Sequence, residues 1–208
     1  MNQTAICNLA LVRLGVSQPI ADITENSTPA RACNAVYEQC VRTMLRERPW
    51  QFASRQVALA LVGENLMSDW LFTYRYPADY IATNRVFPYL VPSAPVSIVH
   101  AVEHTYMPDY PFRIGSDAIG RLIHTDVDDA VVEGTVYIPD TSMYDPMFSS
   151  ALAWFIAAEI AVSLTKNKDL YGNAFTQYQT IVSEAFATGM NEQKPRASAE
   201  ANMIAARD

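Results

Sequence analysis

The sequence predicts an α+β fold in which helices from both termini form a four-helix body around an inserted antiparallel β module. Helical periodicity covers both ends of the chain, whereas Tyr, Val, Ile and Thr runs broken by Pro, Gly and Asp fill the middle. The helical pattern stops at Pro49-Trp50 and returns at Asp145-Pro146. Residues 1–56 and 146–188 are predicted to form the two halves of the body, and residues 57–145 the β module. Residues 189–208 are predicted to form an extended C-terminal arm.

Composition and charge favour a globular protein with one acidic part. Of the 208 residues, 50% are hydrophobic and 18% are charged, a balance typical of a chain that buries a core. The net charge of −7 is uneven, because residues 63–145 carry four Arg and twelve acids. A strongly acidic module does not grip phosphate backbones, which are bound by Lys and Arg. No basic segment followed by an apolar one opens the chain, so we expect no signal peptide.

The three cysteines are expected to be reduced core residues of a protein made in the cytoplasm. They are Cys7, Cys33 and Cys40, an odd number without a CxxC pair. On a helix, Cys33 and Cys40 would lie roughly 10 Å apart along the axis, at about 1.5 Å per residue. A disulfide requires Cα atoms within about 7 Å.

Four helices follow from apolar spacing and end signals. The first covers residues 2–14 and is followed by Gly15, a C-terminal capping residue. Ser27 or Thr28 caps the second, with Pro29 in its first turn. The third, residues 146–165, follows Asp145, and the fourth covers about 168–187 and ends at Gly189. The third helix is long enough to span a bilayer, but its Ala and Ser content and Glu159 favour a core helix.

The middle of the chain predicts short strands. Seven of the twelve prolines fall in residues 77–139, between runs with high β propensity. The loop at residues 125–129 is expected to join the last two strands as a hairpin. The predicted strands are 57–62, 70–76, 84–90, 96–106, 111–114, 119–124 and 131–138.

One motif is compatible with metal-dependent hydrolysis. His100, Glu103 and His104 match H-x-x-E-H, which binds zinc when a helix brings both imidazoles to one metal. The flanking residues favour a strand, on which the two histidines would lie about 13 Å apart at ~3.3 Å per residue. Ordinary strand histidines are therefore the preferred interpretation. No GxSxG or phosphate-binding glycine motif occurs in the sequence.

Two further features have simple structural interpretations. Asp126, Asp128 and Asp129 resemble part of a calcium loop, but the required glycine is replaced by Val131, so a solvated loop is expected. Trp50 beside Pro49 is predicted to anchor the core where the helical segment meets the β module.

Four stretches together resemble the tail tubular protein A family, the head-to-tail adaptors of short-tailed bacteriophages. The resemblance covers roughly residues 5–188, and the order and spacing of the stretches carry it. They are Ile6-Cys-Asn-Leu-Ala-Leu-Val-Arg-Leu-Gly15; Tyr37 with Leu45-Arg-Glu-Arg-Pro-Trp-Gln-Phe-Ala53; Tyr74-Arg-Tyr-Pro-Ala-Asp79; and Ile123-His-Thr-Asp126, Tyr137-Ile138 and Asp145-Pro146-Met-Phe148.

This resemblance implies a structural virion protein at the head-tail junction. Family members form a ring, usually of twelve copies, between the portal protein and the tail nozzle protein. Double-stranded DNA passes through the ring without specific binding. The family provides no catalytic, metal or cofactor residue to carry over, so we expect no enzyme activity, no cofactor and no membrane association.

Within the ring that the resemblance implies, surface roles are assigned by residue type. Arg outnumbers Lys twelve to three, and Arg is suited to interface ion pairs, although coding preference explains the bias equally well. Residues 191–208 have little to bury, so they form either a frayed end or an arm; we expect an arm that is disordered in the free monomer and becomes ordered on the portal or a neighbouring copy. The predicted interface residues are Arg46, Arg48, Met203, Ile204 and Arg207, and the predicted channel acids are Asp126, Asp128 and Asp129.

Two other functions stay open at this point. The first is a virion-associated metal-dependent hydrolase that uses His100, Glu103 and His104, for which stoichiometric zinc would be the evidence. The second is a free-standing binding module that does not assemble on a portal. Neither ring copy number nor the face that meets each partner follows from the sequence.

Overall fold

The mixed α+β class is confirmed in the computed structural model, which describes residues 1–67, 69–89 and 110–192. Four α-helices and two antiparallel sheets make up the regular structure of these residues. The chain divides into two compact units. The helical unit contains residues 1–53 and the described chain from residue 137 onward, and the β unit contains residues 54–136.

The helical unit contains α1 (Gln3–Arg13), α2 (Thr28–Glu47), α3 (Pro146–Thr165) and α4 (Lys168–Glu192). A short 3-10 turn at Gln51–Ala53 ends the first part of the helical unit, and another at Thr141–Met143 lies just before α3. The predicted cap of α2 is confirmed, because the Ser27 hydroxyl accepts from the Ala30 amide at 3.2 Å. Asp145 caps α3 in the same way through the amides of Met147 and Phe148.

Glycines at the ends of α1 and α4 behave differently. Gly15 has φ of +73°, and its amide donates to the Val12 carbonyl, so the predicted capping role is confirmed. The prediction that Gly189 ends α4 was wrong, because the helix continues to Glu192. A helix tolerates an internal glycine at a cost of about 1 kcal/mol. The Gly189 carbonyl also accepts a hydrogen bond from the Gln51 side chain at 3.1 Å.

Helix α3 is the core of the helical unit, as predicted. Helices α1, α2 and α4 all pack against it. Half of its residues are buried, most of them alanine or another small or aliphatic residue, which lets the neighbouring helices approach closely. Among the described residues, α3 is the helix long and apolar enough to cross a membrane by length and composition, with a mean hydropathy of 1.7; 56% of that stretch is buried in the protein.

An aromatic cluster joins the two halves of the helical unit. The Trp50 and Phe148 rings meet edge to face with centroids 4.8 Å apart, and the Phe52 and Phe148 centroids lie 5.0 Å apart. Tyr144 contacts both phenylalanine rings. The Trp50 indole also donates to the Met44 carbonyl at 3.1 Å, which ties the corner to the end of α2. The predicted role of Trp50 as a core anchor is confirmed.

The β unit contains two antiparallel sheets in its described residues. Their strands are β1 (Ser54–Ala58), β2 (Ala60–Met67), β3 (Trp70–Arg75), β4 (Tyr80–Pro88), β5 (Phe112–Ser116), β6 (Arg121–Thr125) and β7 (Ala130–Val136). The first sheet has the order β1-β7-β4 and the second the order β2-β3-β6-β5. The first and last of these strands pair with each other, starting with Ser54 opposite Thr135.

The predicted hairpin between the last two strands was wrong. Strand β6 lies between β3 and β5, and β7 lies between β1 and β4, so each already has a neighbour on both sides. The connecting residues 126–129 therefore cross from one sheet to the other. Buried Val127 makes this crossing part of the core, and its carbonyl accepts from the Tyr74 hydroxyl at 2.9 Å.

Segment boundaries also differ from the predicted ones. The units divide at 53/54 and 136/137, whereas the sequence predicted 56/57 and 145/146. Strand β1 is exposed throughout and opens with three polar residues, so it lacks the apolar alternation on which strand prediction depends. Residues 57–62 span parts of two strands, β1 and β2. The predicted strand 96–106 and the arm from residue 193 lie outside the described residues.

Gly134 supports the three-stranded sheet through its lack of a side chain. A Cβ at this position would lie 2.3 Å from the Ala82 carbonyl oxygen and 2.7 Å from the Tyr80 ring. We expect Gly134→Ala to lower the free energy of unfolding by about 1–3 kcal/mol or more, because backbone must move. Chemical denaturation followed by circular dichroism measures this change.

Gly172→Ala provides the matched control on α4, where an added Cβ meets nothing within 4 Å. This variant should be more stable than wild type by roughly 0.5–1 kcal/mol, because alanine favours the helix. Equal stability of the two variants would contradict the close approach of β4 and β7.

Candidate interaction surfaces

The three predicted channel acids lie on the crossing between β6 and β7, where they are exposed on either side of buried Val127. The Asp126 carboxylate accepts from the Leu71 amide at 3.0 Å, and the Asp128 carboxylate accepts from the Asp129 amide at 2.9 Å. Asp129 adopts a left-handed backbone conformation with φ of +44°. Among the described residues no group of His, Cys, Asp or Glu side chains is arranged to hold a metal ion. The loop thus displays negative charge at the surface.

The other predicted site residues are only partly described. Arg46 and Arg48 are exposed at the end of α2, and the Arg48 guanidinium lies 5.1 Å from the centre of the Phe186 ring. That contact holds Arg48 against α4 while its charge stays in solvent. The remaining predicted residues lie outside the described residues: Met203, Ile204, Arg207, His100, Glu103 and His104.

A groove of about 480 Å³ opens at one end of the β unit, and we call it the β groove. Its apolar lining comes from the chain around β1 and β2, residues 57–60, and from the turn between β3 and β4 with Tyr76 and Pro77. Arg75 and Arg121 provide the charged part of its wall. Ile119 lies on its rim and is 84% exposed.

One wall of the β groove is held in place by a bidentate ion pair. The Arg75 guanidinium donates to both oxygens of Asp117, at 2.9 and 2.8 Å. Asp117 also accepts from the amides of Ile119 and Gly120 at 2.9 and 2.8 Å, so it shapes the turn between β5 and β6. The Arg75 hydrogen bonds and then these backbone amides hold the pKa of Asp117 well below its usual range.

Arg121 and Tyr76 form the second polar feature of the β groove. The Arg121 guanidinium lies 3.7 Å from the centre of the Tyr76 ring, a cation–π contact. Within the described chain, Arg121 has no carboxylate partner. Tyr76 is only 5% exposed, and among the described residues its buried hydroxyl has no hydrogen-bond partner. The apolar lining and the Arg121 guanidinium together favour a ligand that has both apolar and anionic groups.

Exposed apolar side chains follow one edge of the four-stranded sheet. Leu61 and Leu66 on β2 are 52% and 60% exposed, and Leu71 at the start of β3 is 52% exposed. In the described part of the sheet, β2 is an edge strand hydrogen-bonded to β3 alone. Exposed edges with apolar side chains pair readily with other chains, so this edge is a candidate protein-binding surface.

The buried titratable groups serve packing. The Thr73 hydroxyl and His124 Nδ1 lie 3.0 Å apart between β3 and β6, and burial lowers the pKa of His124 so that the ring is neutral at pH 7. The three cysteines are buried and unpaired, as predicted. A hydrogen bond with Cys33 and burial raise the pKa of Cys7, and burial raises the pKa of Cys40 to about 12. The thiols of Cys7 and Cys40 are therefore weak nucleophiles, whereas the hydrogen bond with Cys7 lowers the pKa of the buried Cys33.

Sequence reasoning did not identify the β groove. The segment from Tyr74 to Asp79 supplies much of its lining, and it attracted notice only as part of a family resemblance. Its partners Asp117 and Arg121 are distant in sequence. A cluster of Tyr, Arg and Pro at a strand end was the available signal, since such residues are common in protein interfaces.

The Asp117 ion pair predicts a pH-dependent stability. Because the folded-state pKa lies below the unfolded value of 3.8, the pair stabilises the protein above that value, and the stabilisation is lost as pH falls through the folded pKa. Asp117→Asn should lower Tm at pH 6, and the difference in Tm between the variant and wild type should become smaller below pH 3. Thermal melts from pH 2 to 7 measure it, with Asp128→Asn as the exposed control. A constant gap over this range would contradict the assignment.

Comparison with known proteins does not identify a family. No protein-family model matches the chain, and a search of curated proteins found no significant match. The functional conclusion therefore depends on the surfaces described above.

Proposed function

We propose that this protein is a structural head-to-tail adaptor of a short-tailed bacteriophage, of the tail tubular protein A type. The observation that carries this proposal is the pair of exposed apolar side chains on edge strand β2, Leu61 and Leu66, with exposed Leu71 on the neighbouring strand β3 of an acidic β unit. Exposed apolar side chains on an edge strand favour contact with other protein chains.

In this proposal the helical unit is a four-helix body made from both termini, with the β unit inserted and the C-terminal residues as an arm. The small, buried residues of α3 allow three helices to pack tightly around it. The aromatic contacts of Trp50, Phe52, Tyr144 and Phe148 lock the two halves together. Such a body provides the rigidity that a connector under mechanical load requires.

The acids of the β unit suit a wall along which DNA slides. Asp126, Asp128 and Asp129 are exposed, and none of them forms a salt bridge with an Arg or Lys of the described chain. Exposed carboxylates repel phosphates over about a Debye length, ~8 Å at physiological salt. Passing DNA would therefore not adhere to this surface.

The proposed assembly is a homo-oligomeric ring at the head-tail junction of the virion. By the resemblance, twelve copies bind the portal protein on one side and the tail nozzle protein on the other. The mechanism is assembly, in which apolar side chains are buried between copies and no bond is made or broken. The proposal includes no enzyme activity, no cofactor and no membrane association.

Replacement of the apolar edge tests the proposal. Mass photometry and negative-stain microscopy should find rings of the wild-type protein, alone or on purified portal rings. Leu61→Lys with Leu66→Lys should reduce ring formation at least tenfold, because the edge can no longer be buried without burying charge. Asn173→Lys on the exposed face of α4 is the control, and thermal melts verify that each variant folds.

Two outcomes would contradict the proposal. If the wild-type protein stays monomeric and does not bind the portal rings, the result favours a free-standing binding module. Stoichiometric zinc in elemental analysis favours the hydrolase based on His100, Glu103 and His104.

A further inference from the structure

The β groove contains a charged group that lacks a carboxylate partner within the described chain. Its lining is mainly apolar, and the unpartnered group is the guanidinium of Arg121, which lies over the Tyr76 ring. Its volume, about 480 Å³, is in the range that accepts side chains of another molecule. The complementary ligand is an exposed apolar side chain beside a carboxylate.

The β unit carries such a combination at Leu71 and Asp126. The Leu71 amide donates to the Asp126 carboxylate at 3.0 Å, so the two residues are adjacent. Phe72 pairs with Thr125 at this end of β3 and β6, and Leu71 directly precedes Phe72 while Asp126 directly follows Thr125. Leu71 is 52% exposed, and Asp126 is exposed. We call this pair the β knob.

The knob and the groove lie at opposite ends of the same two strands. Leu71 is the second residue of β3 and Arg75 is its last, while Arg121 begins β6 and Asp126 follows its end. At about 3.4 Å per residue these ends are roughly 14–17 Å apart. The knob of one copy therefore cannot enter its own groove, but it can enter that of another copy.

Two different complementary patches on one chain generate a head-to-tail contact. Repetition of such a contact closes into a ring when the rotation between neighbouring copies equals a full turn divided by the number of copies. We propose that the β knob of each copy binds the β groove of the next copy. Leu71 enters the apolar lining, and the Asp126 carboxylate pairs with Arg121, so that Asp128 and Asp129 are the acids of this loop left to line the channel. This inference depends on the proposed ring and specifies one of its contacts.

The charge pattern supports a second copy as the occupant. Residues 63–145 carry four Arg and twelve acids. In the described chain Arg75 and Arg85 form ion pairs, and of the two arginines that do not, Arg113 and Arg121, only Arg121 lines the groove, where its guanidinium favours an acidic ligand. The Arg121 contact with Tyr76 orients the guanidinium before binding, which reduces the entropy lost on association. Bidentate pairing of Arg with a carboxylate then fixes the direction of approach.

Charge exchange between copies tests this contact. Arg121→Glu places like charges at the contact, and so does Asp126→Arg. Each variant alone should associate at least tenfold more weakly than wild type in mass photometry. An equimolar mixture should assemble again, because every knob of one variant matches the groove of the other. The double variant should assemble for the same reason.

Control variants separate this contact from misfolding and from general charge effects. Asp128→Arg lies in the same loop as Asp126, and it should assemble like wild type. Far-UV circular dichroism and thermal melts establish that each variant is folded. A fold defect would not be repaired by mixing two defective variants, whereas a broken contact would be.

The outcomes distinguish failure of this contact from failure of the proposed function. If wild type forms rings but the mixture and the double variant stay dissociated, the contact is wrong and the ring stands. Loss of assembly in Arg121→Glu without rescue would assign the groove to a different partner and would also overturn the contact. If wild type forms no ring even on the portal, both proposals fall.

Discussion

The edge-to-face contact between Trp50 and Phe148 fixes the point at which the chain leaves the helical unit and the point at which it returns. Phe52 and Tyr144 enlarge the same cluster from the two sides of the excursion. Bringing together residues so far apart in sequence costs conformational entropy that grows with the logarithm of the loop length. Burial of four aromatic rings, each of which removes a large apolar area from water, offsets that cost. The packing of α3 against the first two helices depends on this closure, because α3 begins within the cluster.

The sequence determined the helices more clearly than the sheets. Ser27, Pro29 and Asp145 are local signals, since a cap needs only the three residues that follow it. Strand pairing is different, because the partner of a strand is chosen by tertiary structure. Exposed β1 gave no apolar pattern, and its pairing with β7 could not be inferred from neighbouring residues. Proximity in sequence suggested pairing of β6 with β7, yet both strands have other partners on each side.

The candidate site was less predictable than the fold for the same reason. The β groove combines a turn near Tyr76 with the start of β6 at Arg121, and only the order β3-β6 brings them together. Asp126 was recognised as an exposed acid from its loop composition. Its neighbour Leu71 became visible only through the register of the sheet. Surface chemistry that joins distant strands thus requires the pairing to be known first.

The antiparallel pairing of Ser54 with Thr135 has an evolutionary consequence. The two chain crossings into the β unit lie side by side, as paired residues in antiparallel strands are about 4.5–5.5 Å apart. A tight turn of a few residues would be long enough to replace the whole insertion. The helical unit can therefore exchange this insert for another module by recombination while its own core is left intact. Lineages that share the helical scaffold would then differ mainly in the insert, and with it in the surfaces that the insert presents.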